Sequence, residues 1–294
     1  VKGIFPALIS GYKDDGEIDV AGTLKLVDRL LGAGVHGLFV GGTAGEGVVQ
    51  SVAERKALLD ATIGHVAAEV PVIAHVGTLA TRTTVELAKH AYAAGAQAVA
   101  AVAPFYYDIP DDAMADHYRA VAAAVDVPLY GYHIPSLTGR DLDPKWLLTL
   151  ADEGVLAGLK FSSKDLGAMG RIAEHTPDHF LIYNGMDDVL LGGLLYGAVG
   201  GVGSTYNVMP ELYVELYRAI QEGRVDDARA LQRQATAFIE RLERYDFLAF
   251  LREILRLQGL DIGTSRMPLP SLDDRDRTEI ERCYRDDPTF HPVR

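Results

Sequence analysis

Eight short apolar segments, separated by stretches of helical periodicity, constrain this chain more than any other feature. They lie at 3–10 (GIFPALIS), 37–42 (GLFVGG), 70–77 (VPVIAHVG), 98–105 (AVAAVAPF), 127–134 (VPLYGYHI), 156–163 (LAGLKFSS), 180–186 (FLIYNGM) and 198–205 (AVGGVGST). Near-continuous apolarity suits parallel strands covered on both faces. Between them, residues 19–33 place Val20, Leu24, Val27 and Leu31 at helical spacing, with Asp19 as N-cap. Residues 51–69 open with Ser51 and carry Glu54 three residues on, a capping box. Residues 81–94, 111–124, 144–152, 165–175 and 187–196 read as helices too. Strands alternating with helices predict an α/β fold, a closed (β/α)8 TIM barrel, with a doubly wound open sheet as the alternative.

After the eighth segment the alternation stops. Residues 210–222, 225–243 and 245–258 read as helices with no strand between them, and 273–287 as a charged helix. The expected organisation is a barrel over 1–206. Residues 207–294 would add the last barrel helix and a C-terminal helical appendage in the same structural domain. The 294 residues suit this, because such barrels often use about 250 residues as one domain.

Charge and cysteine content narrow the partners. The net charge of -13 repels polyphosphate, so neither nucleic acid nor an anionic membrane surface is an expected partner. No run of 18 apolar residues is present, so no membrane span is expected. The single cysteine, Cys283, allows no internal disulfide and fits a reducing compartment. The opening residues show no apolar signal core, and the expected location is the cytoplasm. The nine histidines form no H-x-H or H-E-x-x-H pair, so no metal is expected.

In a (β/α)8 barrel the chemistry lies at the C-terminal ends of the strands. Lys160 sits inside the sixth segment between Leu159 and Phe161. A lysine there is partly desolvated, which disfavours the ammonium and makes the amine a nucleophile able to form a Schiff base. The competing reading is a lysine snorkelling out of an edge strand or paired with a buried carboxylate. Lys164 is expected to stand outside the chemistry. In the fifth segment, alternation puts Tyr130 and Tyr132 on one face and His133 on the other. Tyr132, nearest the strand end, is either a proton shuttle or a core residue; His133 reads as structural. Gly41-Gly42-Thr43-Ala44-Gly45-Glu46-Gly47 suits a carboxylate or phosphate held by backbone N–H groups, or is simply a tight turn. It is neither G-x-G-x-x-G nor a P-loop. Pro104-Phe105-Tyr106-Tyr107 lines a pocket or an interface. Asp187 and Asp188 either accept hydrogen bonds from a polyol or cap the next helix, and the hydroxyls of Ser204 and Thr205 suit a ligand or an N-cap.

Taken together, G-G-T-A-G-E-G, P-F-Y-Y, Y-H-I-P-S-L-T-G, G-L-K-F-S and Y-N-G-M-D-D resemble, in order, the dihydrodipicolinate synthase/N-acetylneuraminate lyase family over residues 3 to about 240. The spacing of 28 from Tyr132 to Lys160 agrees. The resemblance implies a class I aldolase or lyase acting on pyruvate-type 2-keto acids, with no dissociable cofactor. It implies Lys160 as Schiff-base lysine, Tyr132 as proton-transfer phenol, and Thr43 and Tyr106 as the relay to that phenol. Tyr106 would come from a neighbouring subunit of a homotetramer.

The same resemblance orders the branches. The synthases carry Arg where Leu137 stands, which argues against that activity. The remaining stretches look more like the lyase branch, in which the positions of Ser162, Gly185, Asp187, Asp188 and Ser204 bind the sugar-derived chain. Two positions depart. Ala44 replaces a second hydroxyl that helps hold the pyruvoyl carboxylate, leaving Thr43 and the backbone N–H groups of Ala44 and Gly45 to hold it. Asp188 replaces the Glu usual in sialic acid lyases. A 2-keto-3-deoxy sugar-acid aldolase or dehydratase is therefore the alternative, and a silent ligand-binding barrel the non-enzymatic one.

Overall fold

The computed structural model of the chain describes residues 1–141 and 143–286. Eight parallel strands form one sheet: β1 Gly3–Pro6, β2 Leu38–Val40, β3 Val72–His75, β4 Ala98–Val102, β5 Leu129–His133, β6 Gly158–Phe161, β7 Leu181–Asn184 and β8 Gly200–Gly203. They are ordered β1-β8-β7-β6-β5-β4-β3-β2. β1 and β2 meet through the bridge of Ala7 to Phe39, and the Leu8 N–H donates to the Phe39 carbonyl at 2.9 Å. The expected (β/α)8 barrel is thus the observed fold, and the open sheet is excluded.

The helices between the strands are α1 Val20–Gly32, α2 Val52–Val66, α3 Thr81–Ala94, α4 Asp111–Ala122, α5 Pro135–Thr138, α6 Pro144–Asp152, α7 Leu166–His175 and α8 Leu190–Leu195. Local sequence accounts for their starts. The Asp19 carboxylate accepts from the Gly22 N–H at 2.9 Å, and Ser51 and Glu54 form the reciprocal capping box that opens α2. α5 was not expected. Pro135 suits the first helical position, and Gly139, at φ 69°, ends the turn in the left-handed region. The segment read as a helix over 187–196 divides into a 3-10 turn, Asp187–Val189, and α8.

The strands are shorter than the apolar segments. Residues 7–10 show why. Regular pairing ends at Pro6, apart from the Ala7 bridge to Phe39, yet Ala7, Leu8, Ile9 and Ser10 are buried. The Ala7 and Leu8 N–H groups still donate to the Gly203 and Phe39 carbonyls of the flanking strands, and side chains satisfy much of the remaining backbone. Asn207 donates to the Ala7 carbonyl at 2.8 Å and accepts from the Ile9 N–H at 3.2 Å, and Arg252 donates to the Ser10 carbonyl at 2.7 Å. Apolarity there records burial under the appendage, not strand.

Past β8 come α9 Pro210–Gln221, α10 Val225–Leu242, α11 Phe247–Leu257 and α12 Asp274–Asp286, close to the four helices expected. Residue 287, the expected end of the last, lies outside the described residues. α11 is tied to the barrel by a buried ion pair. Arg252 Nη2 lies 2.6 Å from Glu46 Oε1, both side chains almost wholly buried, and the Arg266 N–H donates to Glu46 Oε2 at 2.9 Å. Glu46 itself stands in the left-handed region at φ 55°, in the turn after β2. Removing one partner of a buried pair leaves an uncompensated charge and costs about 3–5 kcal/mol. Arg252→Met is expected to lower stability by about that much, read as a shifted urea midpoint. Arg252→Met combined with Glu46→Gln should recover part of the loss. An unchanged midpoint in the single variant would remove this clamp from the account.

Candidate active site

The C-terminal strand ends open into a cavity of about 340 Å³, within the range of small-molecule sites. Register brings its centre together. Tyr132 on β5 and Lys160 on β6 are paired residues of neighbouring parallel strands, so both side chains leave the same face. Lys160 is 5% exposed, and its Nζ lies 4.1 Å from the centre of the Tyr132 ring and 4.7 Å from that of Phe39. The Tyr132 hydroxyl and Thr43 Oγ1 are 3.2 Å apart, within hydrogen-bond reach. Tyr130, one layer below, packs against Tyr183 at 5.5 Å, and Tyr183 against Phe5 at 5.7 Å. These rings close the barrel beneath the site.

The turn carrying Thr43 is held from two sides. Gly41, at φ 77°, makes its sharp exit from β2. His75, fully buried, sits 3.0 Å through Nδ1 from the Gly41 carbonyl, while its Nε2 accepts from the Val102 N–H at 3.2 Å. Those two partners assign the proton to Nδ1. Burial, then the nearby Arg55 guanidinium, pushes the His75 pKa down to about 3, so the ring stays neutral. The His75 ring stands perpendicular to that of Tyr132, with ring centres 5.8 Å apart. It fixes the turn and the phenol as one unit. Sequence reading passed over it because a lone buried histidine carries no spacing signal.

β6 and β7 supply the next layer. The Gly185 N–H donates to the Phe161 carbonyl at 2.8 Å, setting Gly185 beside Ser162. A Cβ on Gly185 would meet Ser162 Oγ at 2.0 Å, so glycine is required there. Ser162 is buried and its Oγ has no protein partner. Asp187 does not cap the following turn. Its Oδ2 accepts from the Thr205 N–H at 2.9 Å and the Thr205 hydroxyl at 2.6 Å, leaving Oδ1 unpartnered. Burial raises its carboxyl above the ordinary range, against the two Thr205 bonds. Ser204 lines the cavity and makes no side-chain cap bond.

Of the residues singled out in the sequence, Lys160, Tyr132, Thr43, Ala44, Leu137, Ser162, Gly185, Asp187, Asp188 and Ser204 line this one cavity. Two do not. Gly45 lies behind it, its carbonyl accepting from Ser10 Oγ and Gln50 Nε2, each at 2.8 Å. Tyr106 is 75% exposed, its ring against Tyr107 and away from the Thr43–Tyr132 pair of its own chain. His133 packs on Phe161 at 5.0 Å and lies off the cavity, in keeping with a structural role.

Lys164, expected to stand outside the chemistry, lines the mouth of the same cavity, its Nζ 2.7 Å from Asp188 Oδ2. Position 164 lies past the end of β6, where strand alternation no longer places a side chain, so the sequence carries no signal for it. Ile239, Leu242, Glu243 and Phe247 at the mouth were also missed. They come from α10 and α11, and no local motif ties those helices to the strand ends.

Among the described residues no group of three or more His, Cys, Asp or Glu is placed to hold a metal ion, and no helix is long and apolar enough to cross a membrane. Fold and site define a barrel enzyme with a buried amine and a phenol at the open strand ends. Residues 1–286 match the model of the dihydrodipicolinate synthetase family. An uncharacterized DapA-like lyase of Halobacterium salinarum is 42% identical over 283 residues, covering 96% of this chain and 92% of that protein. The N-acetylneuraminate lyase of Rhizobium meliloti is 35% identical, covering 96% and 94%. The wild-type sialic acid aldolase of Ruminococcus gnavus superposes with a TM-score of 0.93 at 31% identity, covering 98% and 96%. The chain belongs to the dihydrodipicolinate synthetase family, and it is a lyase.

Proposed function

We propose that the chain is a class I aldolase that cleaves a 2-keto acid to pyruvate and an aldehyde, with N-acetylneuraminate lyase as the leading activity. The observation that carries this reading is the Lys160 amine, buried beside the Tyr132 ring at 4.1 Å, with the phenol in reach of Thr43. Lys160 Nζ attacks the C2 ketone of the open-chain substrate, and water leaves to give a protonated imine. Tyr132 takes the proton from the C4 hydroxyl. The C3–C4 bond breaks, its electron pair passes into the imine, and the aldehyde departs. The enamine is protonated at C3, and hydrolysis returns pyruvate and the free amine. The turn at Thr43 and Ala44 holds the pyruvoyl carboxylate, and Tyr106 is supplied by a neighbouring copy in a homotetramer. A second cavity, about 370 Å³ and mainly apolar, adjoins Thr43 and Tyr132 and supports that arrangement.

A second reading, 2-keto-3-deoxy sugar-acid cleavage, is favoured by Asp188, whose carboxylate is engaged by Lys164. Pyruvate release from a panel of N-acetylneuraminate and 2-keto-3-deoxy sugar acids decides between them. Release from none of these would overturn the aldolase assignment.

Leu137 bears on the synthase alternative. It sits 61% exposed on α5 at the edge of both cavities. Leu137→Arg is expected to weaken cleavage of neutral-tailed substrates several-fold and to improve use of an aldehyde bearing a carboxylate, because a guanidinium pairs bidentately with that group. The ratio of kcat/KM for the two aldehydes measures this, and an unchanged ratio means that Leu137 does not touch the substrate.

A further inference from the structure

Arg55, in the first turn of α2, is a buried cation that the reaction above does not use. Among the described residues no carboxylate pairs with it. Glu54, its neighbour in sequence, pairs instead with Arg266 at 2.6 Å. The guanidinium meets backbone. Its Nη2 donates to the His75 carbonyl at 2.7 Å and its Nη1 to the Gly77 carbonyl at 3.1 Å, while Nε has no protein partner. Burial lowers the Arg55 pKa to about 10, which leaves it charged at neutral pH. A cation buried without a counter-ion is costly, and a neutral donor would serve the same carbonyls.

We propose that Arg55 is a positioning residue whose charge keeps His75 in the neutral form that holds the Thr43 turn against Tyr132. The proposal rests on the aldolase reading above, in which Tyr132 moves the proton of the C4 hydroxyl.

Contacts run from α2 to the phenol. Arg55 holds the His75 carbonyl, the His75 ring holds the Gly41 carbonyl through Nδ1, and Gly41 opens the turn whose Thr43 hydroxyl lies 3.2 Å from that of Tyr132. The ring is tied to β4 as well, because Nε2 accepts from the Val102 N–H at 3.2 Å. Only a neutral ring makes both bonds. An imidazolium donates from both nitrogens and would set one N–H against the other at Val102. Arg55 Nη2 stands 3.5 Å from Nδ1, so a second proton on the ring would bring two cations together in a buried place. Nothing around the ring offsets that repulsion. Lys160 on β6 is a further cation, Tyr132 on β5 and Phe39 on β2 present neutral rings, and β4 presents an N–H. Protonation of His75 would release Val102, and with it the fixed spacing between Thr43 and Tyr132.

The test uses the full chain and the 2-keto acid that releases pyruvate fastest in the panel above. Arg55→Lys keeps the charge, and Arg55→Gln keeps a donor without it. The ratio of variant to wild-type kcat is read from pH 5 to pH 8. For Arg55→Gln it is expected to be about one-tenth at pH 5 and to recover above one-third by pH 8, whereas Arg55→Lys stays within three-fold throughout. In a Thr43→Val background, Arg55→Gln is expected to cost less than two-fold at pH 5, because a residue that acts through Thr43 has nothing left to position. A ratio that does not change with pH would overturn the proposal, as would equal losses for Lys and Gln or the same loss without the Thr43 hydroxyl. A measurement on wild type stands apart from the folding of any variant. In protein labelled with ¹⁵N-histidine, the His75 ring, assigned through its contact with Tyr132, is expected to remain neutral and protonated on Nδ1 at pH 5. An imidazolium or an Nε2–H ring there would overturn the proposal. Borohydride trapping of pyruvate separates the two readings: no trapping on wild type refutes the aldolase assignment, whereas trapping with a pH-independent Arg55→Gln loss refutes this proposal alone.

Discussion

Lys160→Ala is expected to abolish turnover, by on the order of 10⁶-fold, the scale reached when a covalent nucleophile is removed. In the unaltered chain, borohydride in the presence of pyruvate is expected to add one three-carbon unit, on the peptide that contains Lys160. Position gives the reason. The amine lies under two aromatic rings at the closed end of the cavity, where a carbonyl meets it sheltered from bulk water. Lys164 is the control that the geometry supplies. It shares the cavity but is 58% exposed and bonded to Asp188, so it competes poorly for the ketone. Peptide mapping settles the point by mass spectrometry. A label on Lys164, or no label, would refute the imine mechanism.

Tyr132→Phe is expected to lower kcat about 10²–10⁴-fold, the usual contribution of a positioned acid–base group. The ring's neighbours make the substitution clean. Phe39 and His75 lie nearly perpendicular to it with ring centres 6.0 and 5.8 Å away, and Lys160 lies over its face, contacts that a phenylalanine retains. Only the hydroxyl facing Thr43 is lost, and Thr43 is not fully buried, so the cost in stability is small, about 1 kcal/mol. Pyruvate trapping should be slower but still reach completion. Steady-state kinetics with single-turnover trapping separates the two effects, and a kcat near that of the unaltered chain would contradict the assignment.

The candidate site was legible wherever a reactive side chain stood at the end of an apolar segment. Lys160 announced itself because a charge inside a strand must be put to use or paired. The place of Lys164 at the cavity mouth was not legible, because past the strand end a lysine looks like any solvated one; only the cavity wall reveals it. Tyr106 shows another limit. Its motif pointed to the site, but within one chain its ring lies on the surface.

Alternating apolar segments and helical periods were enough to specify a (β/α)8 barrel, because each strand buried on both faces and each amphipathic helix must be satisfied locally, and few architectures satisfy eight such pairs in order. Caps at Asp19 and Ser51 were equally local, each being a hydrogen bond spanning three residues. Long-range pairing decided the rest. Tyr132 meets Lys160 through the β5–β6 register, across 28 positions of chain. Glu46 meets Arg252 across 206 residues, and Asn207 bonds the Ala7 carbonyl and the Ile9 N–H across about as many. Such contacts carry no periodic trace in the sequence. They follow from closing the barrel and folding the appendage over its open end, where burial forces every polar group to find a partner wherever the chain has brought one.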